Sequence, residues 1–73
     1  MSDAEVATAI GEDISAAKAY ALVRHFFKEE PIKADRWFKL PNPNLGDRAP
    51  IDMVRAGRSA KLLQFVEAML DIA

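Results

Sequence analysis

His25 is the single histidine of the chain, and Glu29 follows it by four residues. That spacing puts both side chains on one face of a helix. An imidazole and a carboxylate so placed supply half of a metal site. Completing it takes further His or Cys ligands, and the chain has no second His and no Cys. The pair therefore reads as a solvated or capping histidine, and no metal is expected. Ser, His and Asp all occur, but no spacing singles out a nucleophile, a base and an orienting acid. The expectation is a protein that is not an enzyme and carries no cofactor.

What the residue types offer instead is apolar contact. Trp37 and Phe38 are neighbours, so on a helix they point about 100° apart. One of them belongs to a core, and the other is free to meet a partner. The last segment is richer still: Leu62, Leu63, Phe65, Val66, Met69, Leu70 and Ile72 cover more than half of a helix. A chain of 73 residues has little interior in which to hide them. Residues 59–72 thus mark a protein–protein surface, with Phe65, Met69 and Ile72 at its apolar centre and Lys61, Gln64, Glu67, Ala68 and Asp71 around it. The alternative is tight packing of this helix inside one bundle.

The elements that must position these residues are all helical. No run alternates β-branched or aromatic residues with polar ones, whereas apolar residues three and four apart recur. Val6 and Ile10 lie on a short first helix that Gly11 can end. Ser15 is placed to cap a second helix running to about Glu30, with Tyr20, Val23 and Phe27 on one apolar line and Leu22 and Phe26 beside it. Pro31 suits the first position of a third helix, whose buried side is Ile32, Ala34, Trp37 and Phe38. Leu40 to Asp47 contains two prolines and cannot continue it. This stretch reads as an ordered turn with both leucines inward. Pro50 opens a short fourth helix with Ile51 and Val54 inward and Ala49 as a poor cap. Gly57 ends it, and a final helix runs from about Ser59 to Ile72. The predicted fold is all-α, a single domain over 1–73 made of about five short helices. An ordered Pro-Asn-Pro-x-Leu-Gly turn precedes a C-terminal helical hairpin.

Composition agrees with a small binding module. Apolar types make up 51% of the residues, too many for disorder, but thirteen of them are alanine, which leaves one small core. Ten basic residues against eleven acidic ones exclude a charged tail. Without cysteine there is no disulfide framework. No apolar run approaches the length of a membrane span, and Asp3 and Glu5 stand where a secretory leader would be basic. A cytoplasmic location is expected.

The stretch Ala34-Asp35-Arg36-Trp37-Phe38-Lys39-Leu40-Pro41-Asn42-Pro43-Asn44-Leu45-Gly46-Asp47-Arg48-Ala49-Pro50-Ile51-Asp52-Met53-Val54 resembles the toxin-binding domain of the Xre/MbcA/ParS antitoxins of bacterial toxin–antitoxin pairs. The shared features are an aromatic-ended helix at Trp37 and the turn Pro41-Asn42-Pro43-Asn44-Leu45-Gly46. A helix led by Pro50, the glycine step at Gly57 and a final amphipathic helix follow. The resemblance covers about residues 19–72. It implies a non-enzymatic antitoxin that binds a RES-domain, NAD-degrading toxin, blocks its active site, and forms dimers. Members commonly carry a helix-turn-helix region ahead of this domain and a Gly-containing tail after it. Here the 1–18 segment is too short for such a DNA-binding domain, and the chain stops at Ala73.

Residues 1–18 form the N-terminal helix and a helix-turn-helix remnant: Val6, Ala7, Ile10, Gly11, Ile14 and Ser15 match the start of that motif. Its second helix offers Lys18 followed by Ala19, Tyr20 and Ala21, and Glu12 and Asp13 sit in the turn where phosphate would approach. That is poor electrostatics for a duplex, so DNA is not expected as a partner of this chain alone. The alternative function is a small DNA-binding or self-associating transcriptional regulator.

Overall fold

The computed structural model describes residues 3–71, and they form five α-helices in the order expected. Helix α1 is Asp3–Ile10, α2 is Ile14–Phe26, α3 is Pro31–Lys39, α4 is Pro50–Arg55 and α5 is Ser59–Met69. A 3-10 turn, Pro43–Leu45, lies between α3 and α4. The longest helix, α2, packs chiefly against α5 and also against α3, while α1 rests on α3 and α4. The two helices joined at Gly57 do pack together, but the larger partner of α5 is α2. The core is one cluster: Val6 from α1, Ala16, Ala19 and Val23 from α2, Ala34 and Phe38 from α3, Ile51, Met53 and Val54 from α4, and Leu62 and Val66 from α5. No helix among the described residues is long and apolar enough to cross a membrane.

The element starts follow from side-chain chemistry. At α2 the cap is Asp13 rather than the expected Ser15. Its Oδ1 accepts from the Ala16 N–H at 3.1 Å, and a carboxylate complements the positive end of the helix better than a hydroxyl does. Proline stands at the first position of α3 and of α4, where no N–H is missed. Ala49 caps nothing, as expected, and is buried instead.

The ends differ more. Helix α2 stops at Phe26, four residues short of the expected Glu30, because Lys28 and Glu29 both turn left-handed at φ 59° and 65°. The Glu29 N–H then reaches the Arg24 carbonyl at 2.7 Å, and its carboxylate lies 3.4 Å from Arg24 Nε and 3.3 Å from His25 Nδ1. Those contacts hold an arrangement that is costly for residues with a Cβ. Helix α5 ends at Met69 rather than Ile72, and Ile72 lies outside the described residues.

Three apolar residues expected inside point outward: Phe26, Ile32 and Leu40 are each more than half exposed. For α3 the reason is geometric. Ala34, Asp35 and Phe38 occupy the buried side, Ile32 falls off that side, and Leu40 is the extended residue that ends the helix. Leu45 does pack against the core. Trp37 and Phe38 divide as expected: Phe38 is fully buried and Trp37 is half-buried against it, ring edge to ring face at 5.3 Å between centroids.

The step from α4 to α5 is a Schellman turn. The Arg58 N–H bonds the Met53 carbonyl at 2.8 Å, and the Gly57 N–H bonds Val54 at 3.1 Å. Gly57 has φ 75°, and a Cβ built there meets no atom within 4 Å. The cost of a side chain at this position is therefore purely conformational. Gly57→Ala should destabilise the fold by about 1 kcal/mol, measured by urea unfolding, with an unchanged m-value.

Candidate partner-binding surface

The position of α5 is set at its first residue. The Ser59 hydroxyl donates to Asp13 Oδ2 at 2.5 Å, so the carboxylate that caps α2 also holds the start of α5. Lys18 and Leu22 of α2 then share a groove with Leu63 and Glu67 of α5, so the two helices leave this junction in the same general direction. Leu62 and Val66 are fully buried, as are Ala16, Ala19 and Val23 on α2. The alanines are the reason the helices can approach closely.

The inner side of α5 being committed, the rest of it meets solvent. Lys61, Gln64, Ala68 and Asp71 are exposed, and Phe65 and Glu67 are half-buried. Met69, at 42% exposed, is the large apolar side chain that stands out from this helix. Leu63, Phe65 and Leu70 lie half-buried at the edges of the core. The expected apolar excess of residues 59–72 is thus narrower than the sequence suggests: an exposed Met69 with Phe65 beside it, four residues earlier. The groove between α2 and α5, lined by Lys18, Ala21, Leu22, Leu63 and Glu67, opens about 280 Å³ of mostly apolar space. Sequence reasoning missed this groove, since it depends on α2 rather than α4 lying against α5.

The turn ahead of α4 is organised by Asn42. Its N–H donates to the Arg48 carbonyl at 3.0 Å, and its carbonyl accepts from Leu45 at 2.9 Å and Asp47 at 3.0 Å. Its side chain accepts from the Asn44 N–H at 2.9 Å. Pro41 and Pro43 flank this hub, and Gly46 completes it in the left-handed region at φ 68°. Pro50 is buried where the turn meets the core. None of these residues brings a reactive group to the surface. They fix where α3 ends and α4 begins.

The other residues with chemical interest are engaged structurally. The Tyr20 hydroxyl donates to the buried Asp35 at 2.8 Å. His25, exposed on α2, pairs with Glu29 in the left-handed turn beyond the helix end, not on a shared helix face as the spacing predicts. Among the described residues no three His, Cys, Asp or Glu converge on a metal position. Helix α1 is joined to α2 through Gly11, left-handed at φ 51°.

The described residues form a small all-α frame that leaves Ile14, Phe26, Ile32, Leu40 and Met69 exposed. The chain matches the family of the antitoxin Xre/MbcA/ParS C-terminal toxin-binding domain over residues 19–72, and it belongs to that family. Comparison with curated proteins and with solved structures returns no match. The matched span takes in most of α2, all of α3 to α5 and the Asn42 turn.

The junction of α2 with α5 titrates. The Ser59 hydroxyl first, and then the Ala16 and Ser15 amides, hold the Asp13 carboxyl below its ordinary value of 3.8. A carboxyl depressed on folding adds stability above its unfolded pKa, and loses it as pH falls through the folded one. Ser59→Ala removes the largest cause. Its Tm should lie below wild type at neutral pH, and the gap should narrow as pH drops below about 4, followed by circular dichroism melts.

Proposed function

We propose that this protein neutralises a RES-domain toxin, an enzyme that degrades NAD, by covering its active site with α5 and the neighbouring turn. The observation that carries the reading is the match of residues 19–72 to a toxin-binding domain family. Its fit to α5 rests on Met69, exposed on a helix whose inner side is already filled by Leu62 and Val66. Phe65 lies one helical turn before it. Lys61, Gln64, Glu67 and Asp71 supply the polar rim, with Ala68 exposed among them. Such a surface needs no chemistry of its own: a desolvated apolar centre inside a polar ring is enough to exclude substrate. The protein acts in the cytoplasm of a bacterium, as a dimer.

Met69→Asp is the sharp test, because the side chain is exposed and its loss leaves the core intact. Co-expressed with its toxin, the variant should lose co-purification by about 100-fold in affinity and fail to protect cellular NAD, with helicity unchanged. Phe65→Asp should act in the same direction, and its circular dichroism spectrum separates lost contact from lost fold. Unchanged toxin binding by both variants would remove α5 from the interface.

A further inference from the structure

The outward side of α3 is a second surface, independent of α5. Helical spacing turns Lys33 and Arg36 away from the buried Ala34, Asp35 and Phe38, with Ile32 and the half-buried Trp37 at the two sides and Leu40 on the extended residue that ends the helix. Ile32 is 65% exposed and Leu40 is 55% exposed, more than Met69 on α5. With Phe27 at the end of α2, the side chains of Lys33, Arg36, Trp37 and Leu40 wall an open hollow of about 370 Å³. Three of its five walls are apolar, and the two formal charges that line it are both positive. Lys33 lies 3.8 Å from Glu30, an exposed pair that solvent screens. Among the described residues no carboxylate forms an ion pair with Arg36.

This combination selects its occupant. An apolar trough beside Arg36, which is in no ion pair of the described residues, and Lys33, which is only loosely paired with Glu30, suits a helix with an apolar stripe at i, i+3, i+4 and i+7 and carboxylates along its flank. The stripe would fill the space between Phe27, Trp37 and Leu40, and the carboxylates would meet Arg36 and Lys33. A basic or neutral helix would bury Arg36 without a counter-charge, which is costly. We propose that the outer face of α3 docks an acidic amphipathic helix of a partner protein, seated on Trp37 and Leu40 and held by Arg36 and Lys33. The face is shaped before binding, because Trp37 is braced by the buried Phe38 and α3 is pinned to α2 by the Tyr20–Asp35 bond.

Trp37 is the only tryptophan, so its fluorescence reports on the hollow directly. The probe is a synthetic helical peptide of about 18 residues, Leu at the apolar positions and Glu and Asp between them. Its counterpart carries Lys in place of every acid. The acidic peptide should shift Trp37 emission to the blue and saturate, with affinity about tenfold or more above the Lys peptide, falling as salt rises. Lys33→Glu combined with Arg36→Glu should weaken it by about tenfold or more, and Arg36→Gln alone, a milder change, by several-fold. Circular dichroism confirms that each variant is folded. Equal binding of the two peptides would overturn the proposal, as would full affinity in the charge variants or no saturable shift up to about 1 mM peptide. A shift produced by phosphatidylserine vesicles but not by the acidic peptide would assign the face to a membrane surface and equally overturn it.

Discussion

The close approach of α5 to α2 is the contact on which the rest depends. In it α2 buries Ala16 and Ala19 and α5 buries Leu62 and Val66, all four without measurable exposure. Burying residues such as Val23, Leu62 and Val66 contributes about 1.5–3 kcal/mol each. The surface ion pairs, for instance Glu5 with Arg55 at 3.2 Å, contribute about 0–1 kcal/mol. So the fold is held by a seam of small and branched residues, and polar groups only set its register. Asp13 is the clearest case. One carboxylate takes the Ala16 N–H and the Ser59 hydroxyl, and thereby joins two helix starts that are 46 residues apart in sequence.

Phe38 is the second centre. It is fully buried, with Tyr20 at 5.5 Å and Trp37 at 5.3 Å between ring centroids. That cluster forces α3 to turn Asp35 inward as well, since residues 34, 35 and 38 share the inner side. A buried carboxylate without a partner would be costly, and the Tyr20 hydroxyl supplies one. Tyr20 therefore serves twice, with its ring against Phe38 and its oxygen on Asp35. The same rotation of α3 that buries Phe38 sends Ile32 and Leu40 to the outside. Their exposure is a consequence of the core.

Much of this was legible in the residues alone. Prolines 31 and 50 mark helix starts and Gly57 marks a stop, because each acts through its own backbone and needs no distant neighbour. The Pro41–Gly46 turn is legible for the same reason. What could not be read was which of several apolar residues faces inward. Tyr20, Leu22, Val23, Phe26 and Phe27 all fit a helical stripe, yet Val23 is buried and Phe26 is not, since α2 ends at Phe26 and has no neighbour over its far side. The end of α2 was itself hidden, because left-handed Lys28 and Glu29 carry no glycine to announce them. Ser15 and Asp13 were both chemically able to cap α2. Ser59, remote in sequence, favours Asp13. The apolar stripe of α5 was legible, but the extent of its exposed part depended on how the rest of the fold would cover it.

A chain this short faces a geometric limit: five helices can enclose about one layer of side chains, and every further large apolar residue must stay at the surface. Where those residues fall is then set by the core and not by solubility. On α5 the inner positions are Leu62 and Val66, and Met69 lies beyond the part that α2 covers. On α3 the inner positions are Ala34 and Phe38, and Ile32 and Leu40 lie off that side. Both outer faces stand on helices whose inner faces are locked by full burial, and the linkers beside them are fixed by the Schellman turn at Gly57 and the hydrogen-bond hub at Asn42. A surface held in this way loses little conformational entropy when covered, so modest apolar contact converts efficiently into affinity. The contacts that make five short helices foldable are thus the ones that hold both outer faces in place.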